Sequence, residues 1–187
     1  MSHLTPLQKR KLRSLSLLLE KWSCAVDGTV EEDPDDIYDR ITSIENELLL
    51  DKIGIGGGRD VFTINAESSV KVVKVAQDTD GVEQNQMELT VWDTAKDTYV
   101  KSYSDSTEEV PLSTYLPTVF EQDSDTSNFR WTLLELCDDE ELAQSDLEYL
   151  RSIFMGAGIH ITEITQNNVG YKQTTEGKIP VLLDFGG

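Results

Sequence analysis

The chain has 187 residues, 38% of them hydrophobic and 27% charged, enough for one domain, or a small domain with an extension, that buries roughly 70% of its unfolded surface. That balance sets aside intrinsic disorder, and no apolar run approaches the roughly 20 residues of a membrane-spanning helix, so a soluble protein without a membrane partner is expected. Thirty-five acidic residues against 16 basic give a net charge of -19, a surface that repels phosphate backbones and argues against nucleic acid as a partner.

The acidic excess is spread through "EEDPDD", "EQDSDTSN" and "CDDEE" and is not gathered into a tail. Such a surface suits concentrated salt, where the Debye length falls to about 3 Å and self-repulsion is screened. It points to a salt-loving source, such as a haloarchaeon or its virus, with an ordinary acidic cytosolic protein as the alternative. Cys24 and Cys137 stand far apart, outside any metal-ligand spacing, and read as reduced packing residues. The expected setting is the cytoplasm, or the host cytoplasm or virion if the protein is viral.

In chain order, Thr5-Pro6 supplies a capping hydroxyl and a first-turn proline, followed by Leu12, Leu15, Leu19 and Trp22 at helical spacing. The basic residues ahead of these leucines belong to this helix and not to a signal peptide, because Ser14, Ser16, Glu20 and Lys21 interrupt the apolar run. Lys9, Arg10, Lys11 and Arg13 form the one basic cluster, read as a solvated face in preference to a phosphate or membrane contact. Asp33-Pro34 opens a second helix with Ile37, Ile41, Ile44 and Leu48 on one side. Residues 1–50 are thus expected to be a helical hairpin whose apolar stripes bury against the rest of the chain or a partner.

From Ile53 the period changes. "IGIGGGRDVFTINAESSVKVVKVA" predicts an antiparallel meander with turns at the glycines and at "NAESS". A helix carrying Val82, Leu89, Trp92 and Ala95 follows, with Asp80 as its cap. "VKSYSDSTEEVPLSTY" reads as a surface loop. Two strands are expected at Leu116–Phe120 and Arg130–Leu136, and Ser145-Asp146-Leu147-Glu148 reads as a capping box heading a helix that runs to Gly156. The fold class is α+β.

Three features can carry chemistry. Gly54, Gly56, Gly57 and Gly58 lie between a strand and Val61, where a hairpin can fold bare backbone N–H groups over phosphates. Lys74 follows on the third strand and Glu88 in the helix after it. Near the far end comes "HITEITQNNVGYKQTTEGKIPVLLDFG", with oxygen-bearing Asn168 and Asp184.

In this order these elements resemble the protein kinase superfamily, over Gly54 through Gly187, and "GVEQNQMELTVW" with "NNVGY" is similar to compact kinase-like proteins of some viruses. The resemblance implies a small lobe of five antiparallel strands and one helix at 51–137, a truncated carboxy-terminal lobe at 138–187, and the helical extension at 1–50. It implies that Gly54, Gly56, Gly57, Gly58, Arg59 and Val61 cover an ATP molecule. Lys74, fixed by Glu88, would hold its phosphates, and backbone groups near Glu135 and Cys137 would meet its adenine. Asn168 and Asp184 would bind Mg²⁺, and Glu163 would take the substrate proton. A second register puts His160 at the family histidine, Thr162 at the base and Asn167 at the metal; a carboxylate base favours the first.

Three departures bear on activity. Arg59 replaces the third glycine of the phosphate loop, so its side chain points outward or contacts a phosphate. Glu163 is one methylene longer than the family aspartate, and a displacement of about 1 Å can cost on the order of 10²-fold in rate. The helical lobe that selects protein acceptors is missing from the sequence. The expectation is a kinase-like protein that binds ATP and Mg²⁺, with phosphotransfer to a hydroxyl acceptor and a protein partner or further subunit. The alternative is a pseudokinase acting as an interaction or virion module.

Overall fold

The computed structural model describes residues 3–67, 69–125, 128–159, 161 and 164–185. It is α+β, and its described residues form two compact units, one of Met1–Asn85 with Val119–Leu136 and one of Gln86–Thr118 with Cys137–Gly187. No helix among the described residues is long and apolar enough to cross a membrane.

The first unit begins with α1 (Pro6–Val26), where Thr5 accepts the N–H of Gln8 and the Gln8 side chain returns the bond to Thr5. This reciprocal cap satisfies two of the donors a helix start leaves open. Helix α2 (Pro34–Leu48) starts on Asp33, whose carboxylate accepts the Asp35 N–H. Both starts stand where capping residue and proline predict them. Strands β1 (Asp51–Gly56), β2 (Arg59–Ala66) and β3 (Ser69–Ala76) follow as an antiparallel meander. Ser68, in the second turn, lies outside the described residues.

Strands β6 (Val119–Gln122) and β7 (Trp131–Leu134) complete an antiparallel sheet in the order β1-β2-β3-β7-β6. Five strands are formed as anticipated, but β6 is shifted along the chain from the expected Leu116–Phe120, and β7 is shorter than the expected Arg130–Leu136. Side chains alternate across a strand, so each face of this sheet has its own character. Phe62, Ile64, Val73, Val75, Trp131 and Leu133 form one buried layer with Leu12, Leu15, Leu19, Ile37 and Ile41 of the two helices. The hairpin's apolar stripes are therefore buried within the chain's own first unit.

The basic cluster of α1 has a different role from the solvated face expected of it. Lys9 pairs with Glu121, Lys11 with Glu47, and Arg13 with Asp123. Asp123 is only 2% exposed and accepts the Arg13 Nε–H at 3.1 Å. Ser16 Oγ donates to the Ala76 carbonyl at 2.6 Å, and Arg130 reaches Glu20 at 2.9 Å. A buried carboxylate needs its partner, so these residues fasten α1 to the sheet and, through Lys11 and Glu47, to α2.

Helix α3 (Thr79–Lys96) starts in the first unit and continues into the second. Its cap is Asp78 and not Asp80: Asp78 Oδ1 accepts the Gly81 N–H at 2.9 Å, as a residue just ahead of the first turn is placed to do. In the second unit the expected surface loop contains a hairpin, β4 (Tyr99–Lys101) with β5 (Glu109–Pro111), and a 3₁₀ turn at Leu112–Tyr115 that buries Leu112 and Tyr115. Three-residue strands are too short for periodicity to register. Helix α4 (Gln144–Gly156) ends where anticipated but has Ala143 at its N-cap and no side-chain cap. Strands β8 (Val169–Thr174) and β9 (Gly177–Leu182) close the unit as an antiparallel hairpin.

Candidate functional site

Helices α1 and α2 cover one face of the five-stranded sheet, and the opposite face carries Arg59, Val61 and Thr63 of β2, Val72, Lys74 and Ala76 of β3, and Thr132 and Leu134 of β7. Arg59 and Lys74 are 3% and 5% exposed. In the β2–β3 register Val61 stands opposite Lys74 and Arg59 opposite Ala76, which makes the two cations diagonal neighbours about 7–8 Å apart at Cα, within reach of long side chains. Two buried positive groups on one sheet face suit an anion of more than one charge.

The glycines at the head of this face fall into two kinds. Gly58 closes a two-residue turn between β1 and β2 with φ +91, and a Cβ there would meet Asp78 Oδ1 and the Gly81 nitrogen at 2.8 Å. Only glycine fits. At Gly54, Gly56 and Gly57 an added Cβ would meet nothing nearer than 3.7 Å. The packing of the unit therefore does not require glycine at these three positions.

Arg59 does not point outward: it is buried, with Nη1 3.4 Å from Asn85 Oδ1, and Asn85 Nδ2 donates to the Phe129 carbonyl at 2.7 Å. Asn85 and Glu88 are both fully buried and sit one turn apart on α3, on the same helix face. Hydropathy placed Leu89 and Trp92 on that face, yet both are only half-buried. The strand expected to lead to the adenine contact is β7, buried throughout, and Glu135 and Cys137 follow it half-buried, where the chain passes from the first unit to the second.

In the second unit the backbones of the two proposed metal-binding residues meet. The Asn168 carbonyl accepts the Leu183 N–H at 2.7 Å and the Asp184 N–H at 3.4 Å. Asp184 is exposed and Asn168 half-buried. Asn168 Oδ1 accepts the Thr165 N–H at 2.8 Å and the Thr165 hydroxyl at 3.5 Å. A carboxylate and an amide oxygen are hard donors of the kind Mg²⁺ takes, so the pair fits that ion as a partial set. Among the described residues no three His, Cys, Asp or Glu side chains gather as a metal site, so further ligands would come from phosphate oxygens and water. Gly170 also has a packing reason, since a Cβ there would lie 2.1 Å from the Asp138 carbonyl. Glu163, with His160 and Thr162 of the second register, lies outside the described residues.

Sequence reasoning missed a polar cluster in this unit. Asp146, read as part of a capping box, is 8% exposed. It accepts the Tyr103 hydroxyl at 2.9 Å and the Tyr171 hydroxyl at 2.7 Å, partners 43 and 25 residues away. No local pattern signals contacts at such separations. Burial, and then the bond to Asp146, pushes the ionisation of Tyr103 and Tyr171 up. Tyr149 is pushed up as well, by burial and then by Tyr115.

These hydroxyls favour folding in their protonated form. Their contribution is complete below the unfolded value of about 10 and is lost as pH rises through the higher folded values. These three are expected to ionise above the ordinary tyrosine range in an ultraviolet titration, together with loss of the native fold. In Asp146→Asn, Tyr103 and Tyr171 should titrate earlier than in the unmodified protein. Unchanged titration in that variant would remove Asp146 as a cause.

Compared with known proteins, the chain matches no family model and no curated protein.

Proposed function

We propose that the chain is a kinase-like protein that binds ATP with Mg²⁺. The observation that carries this reading is the glycine-rich end of β1 and its turn, on the same sheet as buried Arg59 and Lys74. Gly54, Gly56 and Gly57 lack side chains that the packing would admit, Arg59 lies on the adjoining strand β2 and Lys74 on β3, one strand further in. Glycines at the end of a strand and in its turn, near buried positive charge, suit the close approach of a phosphate chain to backbone N–H groups. The Asn168–Asp184 pair supports the same reading by offering oxygen donors of the right hardness.

In the proposed division of labour, Lys74 and Arg59 neutralise phosphate oxygens, with Glu88 fixing Lys74. Val61 and the backbone of Glu135 and Cys137 receive the adenosine, and Asn168 and Asp184 hold the ion. Bound Mg²⁺ supplies neutralisation of the phosphate charge. Glu163 is the acceptor's base if transfer occurs. Its extra methylene favours a second reading, in which the protein binds nucleotide without turnover and serves as a pseudokinase interaction module.

Mg-ATP at 100 times its dissociation constant stabilises a binder by about 2.7 kcal/mol, so a melt in molar KCl should rise by roughly 5–10 °C in a chain of this size. Lys74→Met and Asp184→Ala should each abolish most of that rise, and the double variant should lose no more than either single one, as two groups serving one ligand require. An unmodified protein whose melting point ignores Mg-ATP would overturn the proposal. If it binds, incubation with γ-labelled ATP separates transfer from the pseudokinase reading.

A further inference from the structure

The glycine turn is not an open flap. Its Gly58 carbonyl accepts the Gln77 N–H at 2.8 Å, and a Cβ on Gly81 would lie 1.9 Å from that same carbonyl oxygen. The turn thus lies flat against the first turn of α3, whose N-terminus is already capped by the Asp78 carboxylate. Next to the turn, buried Arg59 reaches Asn85, and Asn85 reaches the Phe129 carbonyl in the connection between β6 and β7. Asn85 therefore ties α3 to two other segments, the start of β2 and the β6–β7 connection. A primary amide is suited to this because one planar group accepts the arginine N–H and donates to the carbonyl; a carboxylate does only the first, and an aliphatic side chain neither.

We propose that Asn85 is a positioning residue that locks the glycine turn shut upon α3, so that the turn lifts only when the first two turns of that helix shift. A side chain with no exposure that links Arg59 to Phe129 cannot release one without leaving a buried polar group unsatisfied. The lock is a property of the first unit with or without a ligand. Resting on the nucleotide reading, it also makes Mg-ATP a regulator of α3: phosphates held by the turn slow the opening of Thr79–Asn85, residues placed behind the turn.

Residue-resolved amide hydrogen exchange on the full chain tests this, with the Gln77 amide reporting turn docking and Val73, at the centre of β3, as the internal reference. In the unmodified protein Gln77 and Gly81 should open together. Asn85→Ala removes both side-chain bonds and should speed Gln77 exchange by at least about tenfold, without moving Val73. Arg59→Met, which removes the same contact from the other side, should do likewise. Asn85→Asp keeps the acceptor for Arg59 but loses the donation to Phe129, and should give Gln77 exchange between that of the unmodified protein and that of the Ala variant.

Gln77 exchange unchanged in both Ala and Met variants, or accelerated equally with Val73, would overturn the lock, as would an Asp variant as fast as the Ala one. Added Mg-ATP should slow Gln77 and Gly81 in the unmodified chain. Absence of that slowing, with the variants behaving as stated, would end the regulatory part alone, and absence of any melting shift would end the nucleotide reading while the lock stands.

Discussion

A chain begun at Asp51 is expected to show no cooperative unfolding of its first unit and to bind a hydrophobic dye at neutral pH. The reason is the layer that α1 and α2 cover. Phe62, Ile64, Val73, Val75, Trp131 and Leu133 are all buried against those helices, and each apolar side chain of this size is worth roughly 1.5–3 kcal/mol when removed from water. Six of them exceed about 9 kcal/mol, comparable to the whole stability of an ordinary domain, about 5–15 kcal/mol. Asp123, buried and paired to Arg13, would also lose its cation. The helical hairpin is thus half of a core. A sharp thermal transition in the shortened chain, equal to that of the full one, would show this account of the hairpin to be wrong.

Gly81→Ala is expected to cost about 3 kcal/mol or more, although alanine is ordinarily the better helix former by about 1 kcal/mol. The added Cβ would stand 1.9 Å from the Gly58 oxygen, 2.8 Å from its carbon and 3.1 Å from the Ala76 Cα. All three are backbone atoms, so no rotamer change relieves the clash. Either α3 or the glycine turn has to move. Gly156→Ala is the control: it too is helical, nothing lies within 4 Å of the added atom, and the change should be neutral or raise stability by up to about 1 kcal/mol. Chemical denaturation of the two variants decides the matter, and equal midpoints would mean that the turn and the helix do not touch as described.

The parts of the fold that were legible in the sequence are those written in local chemistry. Thr5-Pro6 and Asp33-Pro34 announced their helices because a cap and a proline act within one turn. The five strands were legible because β-branched alternation and glycine turns are local too. The basic residues of α1 were misjudged for the opposite reason: a charge reads as solvated unless its partner is known, and Asp123 and Glu121 lie far along the chain. Helix α3 concealed its inner face because Asn85 and Glu88 are turned inward while Leu89 and Trp92 stay half-exposed. A hydropathy pattern has the wrong sign at such a site. The glycine strand and Lys74 stood out by type and order, but which glycines the packing demands became visible only with Gly58 against Gly81.

Strand β7 fills the place beside β3 in the finished sheet, yet the ribosome delivers it only after α3, a hairpin and β6 have emerged. At roughly 5–20 residues per second, the nascent β3 waits several seconds with its backbone edge and its valines unpaired. Vectorial synthesis therefore leaves a sticky intermediate whose lifetime is set by translation speed. Yield of the native protein should depend on how quickly the message is read between Ala76 and Trp131, more than on the stability of the end product.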